Sequence, residues 1–413
     1  MNPVSISNHR SLPKGHSPRG FTLVELMVAV AVGLIFSLAV TGFVLTMGRQ
    51  FRVVGASAAA QGSAQIALSL IEASGRSAGA GFYNDGKPLC STLNAWKDGA
   101  VKSNNEVFMP ARIVAAPSGT GSEKVIFTSA SDTKALSTMP VLVNQAASTD
   151  GFVVGNAGTI EVNDLAVAAS NGPSTPCTLF QVTAVSGSIA TCGGNASSCR
   201  TLSRAGAATG YNPPGAAFTI NSVYGFDAAS ATSSGPAVVS RLGSSFRQDA
   251  FKVACGALVQ YDEFAGDPSC TASPLSFDSG ANALATDVVQ MRAQYGISDM
   301  ASSDVVTHWV NASDTVDATL KTWAAPLPGD VPRIKAVRVV VVTRSKEPES
   351  TDVSAACTND ASVANTGPCS FQGADAPVIN VSGASMPSGR TWKNFRYRTY
   401  MAIVPLRNVI WSD

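Results

Sequence analysis

The chain has 413 residues, of which 45% are hydrophobic and 14% charged, so it can bury a sizeable core and does not have the composition of a disordered protein. Removal of residues 1–20, whose only charged side chains are three basic ones, would leave 26 basic against 28 acidic residues, without the basic excess typical of nucleic-acid-binding proteins. The histidine content excludes zinc hydrolases with several imidazole ligands, because the chain contains only His9, His16 and His308.

An apolar segment lies close to the N-terminus. Residues 26–48 carry no charge, and these 23 residues are enough to cross a hydrocarbon core of roughly 30 Å as a helix. Basic residues precede the segment, but Arg49 and Arg52 also follow it, so the charge asymmetry across it is small. Because the bulk of the chain follows the segment, we predict a single-pass protein with a cytoplasmic N-terminus and an exported C-terminal body.

The residues just before the apolar segment form a compact motif. It reads Arg-Gly-Phe-Thr-Leu-Val-Glu-Leu over residues 19–26, and its single carboxylate is Glu25. An ordinary secretory signal has its cleavage site after the apolar core, whereas this candidate site precedes it. The motif resembles that of type IV prepilins and type II secretion pseudopilins. The resemblance implies cleavage between Gly20 and Phe21 by a prepilin peptidase, followed by N-methylation of Phe21.

Glu25 needs a partner, because an ionised carboxylate within the bilayer costs several kcal/mol unless it is paired. The resemblance implies that this partner is the α-amino group of Phe21 on a neighbouring subunit, which makes Glu25 the assembly carboxylate. An isolated glutamate near a helix end could instead extend its flexible side chain to the aqueous interface. The complete motif around Glu25 favours the first interpretation.

The apolar segment is expected to be the first half of a longer helix. The next proline after Pro18 is Pro88, so a single helix of roughly 55 residues from residue 21 to about 75 is predicted. Gly75 and Gly79 are expected to end it. We therefore divide the chain into a leader (1–20), the transmembrane half of the helix (21–48), its amphipathic half (49–78) and a head (79–413).

After the helix the sequence becomes rich in glycine, serine, alanine and threonine, with short apolar runs separated by turn residues. This pattern predicts a β-rich head. The expected fold class is α+β, a long N-terminal hydrophobic helix packed on a β-rich globular head. The main candidate strands are 106–114, 124–128, 179–185, 217–224, 250–261, 288–296, 333–343 and 395–404.

The later part of the chain narrows the resemblance. A helix with a glycine-rich exit at 65–82 is followed by a strand at 288–296, a long strand at 333–345 and a closing segment at 395–408. Their sequences and their order are similar to those of PilW-type minor pilins. The resemblance implies a minor pilin that primes assembly of a type IV pilus, sits at the filament tip and supports twitching motility and adhesion. A J-type minor pseudopilin of type II secretion is the alternative.

The same resemblance implies partners and a location. The partners would be the prepilin peptidase, the inner-membrane assembly platform, the major pilin, other minor pilins and a PilY-type tip adhesin. The subunit would first span the inner membrane once, with its head in the periplasm, and would then move to the pilus tip at the cell surface. A head of over 300 residues suits a low-copy tip position better than repetition along a thin filament.

The cysteines form an even set without a C-x-x-C pair, which in an exported protein indicates disulfide bonds. They are Cys90, Cys177, Cys192, Cys199, Cys255, Cys270, Cys357 and Cys369. Short loops favour pairing of Cys255 with Cys270 and of Cys357 with Cys369, while the first cysteine could pair with one of the next three. The sequence leaves the full connectivity open.

Catalytic and metal-binding functions have little support. The chain lacks a glycine-rich phosphate loop, a nucleophile elbow and a paired cysteine and histidine set, and His308 is interpreted as an ordinary loop or strand residue. We expect no enzyme activity, no cofactor and no metal. Asp262, Glu263 and Asp267 could contribute to a calcium site, but their spacing does not fit an EF-hand loop.

A nucleic-acid-binding tip subunit of a competence pilus is the other alternative. Basic and aromatic residues are interleaved near the C-terminus and could contact phosphates and stack on bases. A strand with charged and aromatic side chains on opposite faces would explain the same pattern. The residues are Arg390, Lys393, Arg396 and Arg398, interleaved with Trp392, Phe395, Tyr397 and Tyr400.

Overall fold

The computed structural model describes two compact units of the chain, Met1–Ala56 and Ser57–Asp413, and confirms the predicted α+β fold. Helix α1 covers Leu23–Ser77 and helix α2 covers Arg407–Ile410. The described residues are 20–84, 87–116, 121–130, 138–145, 151–155, 160–170, 176–187, 199–206, 209–213, 237–272, 275–277, 280–316 and 321–410.

The strands among these residues are short and mostly antiparallel. They are β1 (Tyr83–Asn84), β2 (Lys87–Pro88), β3 (Thr92–Lys97), β4 (Ala100–Val107), β5 (Ala111–Val114), β6 (Lys124–Ala130), β7 (Thr138–Pro140), β8 (Phe152–Gly155), β9 (Leu165–Ala169), β10 (Cys177–Gln181), β11 (Ala184–Val185), β12 (Cys199–Ser203), β13 (Val238–Gly243), β14 (Phe246–Ala254), β15 (Ala257–Asp262), β16 (Cys270–Ala272), β17 (Leu275–Phe277), β18 (Asn282–Thr286), β19 (Val288–Ile297), β20 (His308–Val310), β21 (Ile334–Arg344), β22 (Cys357–Thr358), β23 (Ala364–Asn365) and β24 (Tyr397–Pro405).

In the first unit, α1 is apolar and its side chains are exposed. The stretch Leu23–Leu45 is long and apolar enough to cross a membrane, and none of its most apolar part is buried within the protein. Glu25 is the only charged residue in this stretch. A helix satisfies its interior backbone hydrogen bonds itself, so such a segment is compatible with a lipid environment.

In the second unit, α1 is amphipathic. Ala64, Ala67, Leu68 and Ile71 are buried at helical spacing, whereas Ile66 on the opposite face is 61% exposed. The buried face shares one hydrophobic core with two sheets of the head. This arrangement agrees with the apolar face that the sequence predicts for the second half of the helix.

Helix α1 ends in a left-handed turn at Gly79, whose φ is 82°. Backbone groups at this end of the helix form hydrogen bonds with distant parts of the chain. Asn408 Nδ2 donates to the carbonyl oxygens of Ala78 at 2.9 Å and Ser77 at 3.4 Å, and Gly79 N donates to Thr128 O at 2.8 Å. The C-terminal segment therefore caps the end of the long helix.

A four-stranded antiparallel sheet with the order β20-β19-β21-β24 packs on this part of α1. One face of β21 contributes to the core with α1, and the other contacts Ile379 and Val381 in the long connection between β21 and β24. Because β21 is buried on both faces, its sequence is a nearly continuous apolar run rather than an alternation.

A five-stranded sheet with the order β18-β15-β14-β6-β5 shares the same core. Glu123, just before β6, joins it to β19: its N–H donates to Met291 O at 2.9 Å and its Oε2 accepts from Ala293 N at 2.6 Å. Arg292 Nη2 lies 3.5 Å from Oε1, the other carboxylate oxygen of Glu123. Burial raises the pKa of Glu123, although Arg292 and the Ala293 N–H act in the opposite direction.

The remaining large sheets lie beside these layers. A six-stranded sheet has the order β4-β3-β10-β9-β13-β7, and a three-stranded sheet has the order β11-β12-β8. One face of the six-stranded sheet packs around Phe82 and Phe108, whose ring centroids are 4.4 Å apart. The other face meets the three-stranded sheet through Phe152 and Phe180, at 4.8 Å.

The prediction of one strand over 250–261 is wrong. This region is a hairpin of β14 and β15, with a two-residue turn at Cys255 and Gly256. Both residues have positive φ, 52° and 74°, as a tight hairpin turn requires. Because apolar residues lie on both sides of the turn, the sequence pattern resembles one continuous strand.

Two other predicted strands are also divided. The segment 106–114 contains the end of β4 and all of β5, with Pro110 in the break, and 179–185 contains the end of β10 and all of β11. Proline cannot donate to a sheet ladder, which explains the first break. The strand predicted at 217–224 lies outside the described residues.

Arg338 of β21 ties three segments together on the outer face of the four-stranded sheet. Its guanidinium carbon lies 4.7 Å from the ring centroids of both Trp309 and Phe371. Its Nε donates to Gln294 Oε1 at 2.7 Å, and a terminal nitrogen donates to Asp375 O. Trp309 belongs to β20, whereas Phe371 and Asp375 belong to the connection between β21 and β24.

We expect Arg338→Lys to destabilise the head although the charge is kept. Lysine has neither the flat group that stacks between two rings nor the forked donors. The expected loss is about 2 kcal/mol, or about 4–8 °C in Tm, for the full chain in detergent. Arg247→Lys is the matched control, because Arg247 is 55% exposed and pairs with Asp249 across the surface. Equal losses in the two variants would contradict the assignment.

Candidate functional site

The candidate assembly site is the start of α1, where Thr22 and Glu25 form a reciprocal pair. Glu25 Oε2 accepts hydrogen bonds from the backbone nitrogen and from Oγ1 of Thr22, each at 3.1 Å. In return, Glu25 N donates to Thr22 Oγ1 at 3.2 Å, and Leu26 N donates to Thr22 O at 3.2 Å. This is a capping box, which satisfies N–H groups that a helix leaves free at its start.

The capping box uses only part of the carboxylate. Both bonds to Thr22 involve Oε2, so Oε1 has no hydrogen-bond partner among the residues that the structure describes. The helix N-terminus also favours a negative charge at this position. Oε1 can therefore accept a hydrogen bond from a cation of another molecule without breaking the cap.

Gly20 and Phe21 precede the cap and are open to solvent. Phe21 is 84% exposed, and among the residues that the structure describes no atom beyond the chain neighbours lies within 4 Å of the position that a Cβ on Gly20 would take. The described residues therefore do not cover the peptide bond between them. Thr22 is a residue that the sequence analysis did not single out, although the spacing Thr-x-x-Glu before an apolar run is a recognised signal for a capping box.

Two family models match separate parts of the chain. Residues 16–41 match the prokaryotic N-terminal methylation motif, and this range includes the capping box. Residues 274–408 match the type IV pilus-assembly protein W. Over these residues the chain is similar to PilW-type pilins. No curated protein and no solved structure matches it.

The match to the type IV pilus-assembly protein W covers the C-terminal part of the fold. It begins at residue 274 and ends at 408, so it includes the whole four-stranded sheet and Asn408, which caps α1. The six-stranded sheet lies outside the match. Both matches fit a protein related to the type IV pilus.

Two disulfide bonds are described in the head. Cys90 is bonded to Cys177 at the start of β10, and Cys357 is bonded to Cys369 within the connection between β21 and β24; the Cα atoms are 5.5 Å apart in both pairs. Of the other four cysteines, Cys199 and Cys255 are disulfide-bonded. Cys192 lies outside the described residues, and so does the side chain of Cys270.

The three carboxylates considered for calcium are paired with lysines, one of which, Lys124, contacts both Glu263 and Asp267. Within the described part of the chain, no group of three or more metal-ligating side chains occurs. Each carboxylate accepts from an ammonium group within 3.1 Å, so its charge is already balanced. The pairs are Lys97 with Asp262, Lys124 with Glu263, and Lys252 with Asp267.

We expect Asp267→Asn to flatten the dependence of stability on pH in acid. Partial burial acts to raise the pKa of Asp267, but hydrogen bonds from Tyr261, Lys252 and Lys124 outweigh it and lower the pKa to about 2. Because this value lies below the ordinary 3.8, the pairs stabilise the folded protein above about pH 4, and this contribution is lost as the pH falls towards 2.

The effect should stay below about 1 kcal/mol, because the Asp267 side chain is 55% exposed and solvent screens its pairs. The test is Tm measured between pH 5 and about pH 2. Asp360→Asn, at an exposed position, is the control. Parallel curves for the wild type and Asp267→Asn would contradict the assigned pairing.

Two of the basic residues considered for nucleic-acid binding contact the same acidic residue, Glu349. Arg396 Nε lies 3.1 Å from Glu349 Oε1, and Arg390 donates to the backbone oxygen of Glu349 at 3.3 Å. Lys393 and Arg398 are exposed. An acidic residue therefore balances part of the positive charge of this group.

The aromatic residues of the same segment are packed into the head. Phe395 is buried beneath the guanidinium of Arg344, with 4.5 Å between the guanidinium carbon and the ring centroid. Tyr397 donates from its hydroxyl group to Trp392 O at 3.0 Å, and burial raises the pKa of Tyr397 to about 12. Base stacking needs exposed ring faces, so this arrangement favours the structural interpretation of the pattern.

Proposed function

We propose that this PilW-type pilin is a minor subunit that primes assembly of a type IV pilus and occupies the filament tip. The observation that carries the proposal is the start of α1, where a capped carboxylate keeps one oxygen free at the entrance of an apolar helix. Cleavage between Gly20 and Phe21 by a prepilin peptidase would place a new α-amino group four residues before that carboxylate.

The chemistry of assembly follows from charge compensation. The new α-amino group of Phe21, N-methylated, remains a cation at neutral pH. Its pairing with Glu25 Oε1 of a neighbouring subunit would offset the cost of two charges near the bilayer. Since the capping box uses Oε2, each subunit could keep its helix start intact while it forms the contact.

The head supports a tip position and a pilus rather than a secretion filament. The second unit runs from Ser57 to Asp413 and contains several sheets, a large body for a subunit that repeats along a thin fibre. Its C-terminal part matches the pilus-assembly family, which is why we favour the pilus over a J-type pseudopilin. Neighbouring minor pilins, the assembly platform and a tip adhesin would be its partners, with twitching motility and adhesion as the outcome.

The test is N-terminal sequencing and intact-mass analysis of the protein from its host, with and without the prepilin peptidase. We expect a methylated N-terminus at Phe21 that depends on the peptidase. Quantification of the subunit in sheared filaments should then show a low copy number relative to the major pilin. A pseudopilin would be missing from such filaments.

Gly20→Leu supplies the control for this experiment. The added Cβ would contact no described part of the protein beyond the chain neighbours, so the head should fold normally while cleavage is blocked. Detection of Met1 at the N-terminus of the wild-type protein, or cleavage after the apolar stretch, would overturn the proposal.

A further inference from the structure

Strand β24 is the open edge of the four-stranded sheet. Its nine residues pair with β21 in one continuous register, without a bulge. Among the residues that the structure describes, no strand or backbone hydrogen bond is found on its other side. A long, regular edge of this kind presents unpaired N–H and C=O groups that can template another strand.

The other sheet edges of the described head carry the features that normally prevent such pairing. The edge strands β5, β7, β18 and β20 have three to five residues, and the pairing of β18 is interrupted by a register shift. The eight-residue edge strand β4 carries Lys102 and Glu106, and its register shifts twice. Only β24 combines length and regularity with an uncharged centre.

The outer face of β24 also exposes apolar side chains. Met401 is 47% exposed and Ile403 is 54% exposed, whereas Ala402 and Val404 between and after them are buried on the inner face. The edge therefore offers backbone partners along one side and an apolar strip on the face above it. This is the combination that strand addition uses, with affinity from the backbone and selectivity from alternate side chains.

Strand β24 carries a single charged side chain. Arg398 is the only charged residue of β24, it is exposed, and it forms neither a hydrogen bond nor an ion pair with the described residues. It lies three positions before Met401 and so faces the opposite side of the strand. In an incoming strand that matches this edge, one side chain would lie against Met401. A carboxylate three residues away from it along that strand would pair with Arg398.

We propose that the edge of β24 binds an extended segment of another protein by strand addition. The segment has apolar side chains at alternate positions, which cover Met401 and Ile403, and a carboxylate that pairs with Arg398. Self-association is the poorer match, because β24 has no acidic residue to place against a second Arg398. The inference does not rest on the tip position proposed above.

The experiment places a photo-crosslinking benzophenone amino acid at position 401, and separately at 403, in the full-length protein in cells that assemble filaments. Mass spectrometry then locates the adduct in the partner. We expect the partner position to move by two residues between the two probes, because both lie on one face of a strand. A helix in a groove would give steps of three or four residues.

Val305 is the control position, since it is 67% exposed on a different loop of the same head. A second measurement uses Arg398→Glu, which should lower the adduct yield about tenfold without a change in Tm, and a lysine in place of the partner's carboxylate should restore it. Adducts with a second copy of the chain, a yield equal to that at Val305, or no effect of Arg398→Glu would each overturn the proposal. Filament counts in the same cells show whether assembly itself has failed.

Discussion

Glu25→Gln is expected to reduce incorporation of the pilin into filaments at least about tenfold, without an effect on cleavage after Gly20. Glutamine can still accept from Thr22 in the capping box, so the helix start is kept and only the charge is lost. The neighbouring α-amino group would then have no anion to pair with. The measurement is the ratio of the subunit in sheared filaments to that in membranes, by quantitative immunoblot.

Substitutions of Thr22 separate the cap from the charge. Thr22→Val keeps the shape of the side chain but removes both hydroxyl bonds to Glu25, and a lost cap costs about 0.5–2 kcal/mol of helix stability. We expect a smaller loss of incorporation than with Glu25→Gln, and Thr22→Ser should behave as the wild type. If Glu25→Gln assembled normally while Thr22→Val did not, Glu25 would serve only the cap.

Gly75→Ala is expected to lower the free energy of unfolding of the head by about 1–2 kcal/mol, although alanine is the better helix former. A Cβ at this position would lie 2.3 Å from Val404 Cγ1 and 3.1 Å from the ring of Phe127. Val404 is fully buried and its branched side chain cannot turn away. The helix would have to move off the four-stranded and five-stranded sheets, which share this core.

Gly62→Ala in the same helix is the matched control for this prediction. Among the described residues, no atom beyond its chain neighbours and the nearby helix backbone lies within 4 Å of its Cβ position, so the gain in helix propensity of up to about 1 kcal/mol should appear undiminished. Thermal unfolding of the full chain in detergent measures both variants. In a Val404→Ala background, Gly75→Ala should cost less, and an unchanged cost would falsify the proposed contact.

Local patterns carried much of the information about the fold. The absence of proline between Pro18 and Pro88 predicted one long helix, and the structure has α1 over Leu23–Ser77. The apolar runs 288–296 and 333–343 predicted two long strands, which occur as β19 and β21. Burial on both faces makes such strands visible as continuous runs.

The failures have a common cause. The turn at Cys255 and Gly256 joins two apolar strands, and both residues have positive φ values. Positive φ is uncommon for a residue other than glycine, so Cys255 gives no sequence signal for the turn. In the sequence, the interleaved basic and aromatic residues near β24 fitted a nucleic-acid-binding surface and a structural strand equally well. Only the packing of Phe395 beneath Arg344, and the pairing of Arg396 with Glu349, separates these alternatives.

By itself, the sequence determined that this protein has an apolar helix at its N-terminus, preceded by a prepilin-like motif, and a β-rich body, because these features depend on neighbours along the chain. The tertiary structure decided that Asn408 caps the end of α1 and that β24 is left as an open edge. These depend on contacts between residues up to about 330 positions apart, and such contacts leave no periodic signal in a single sequence.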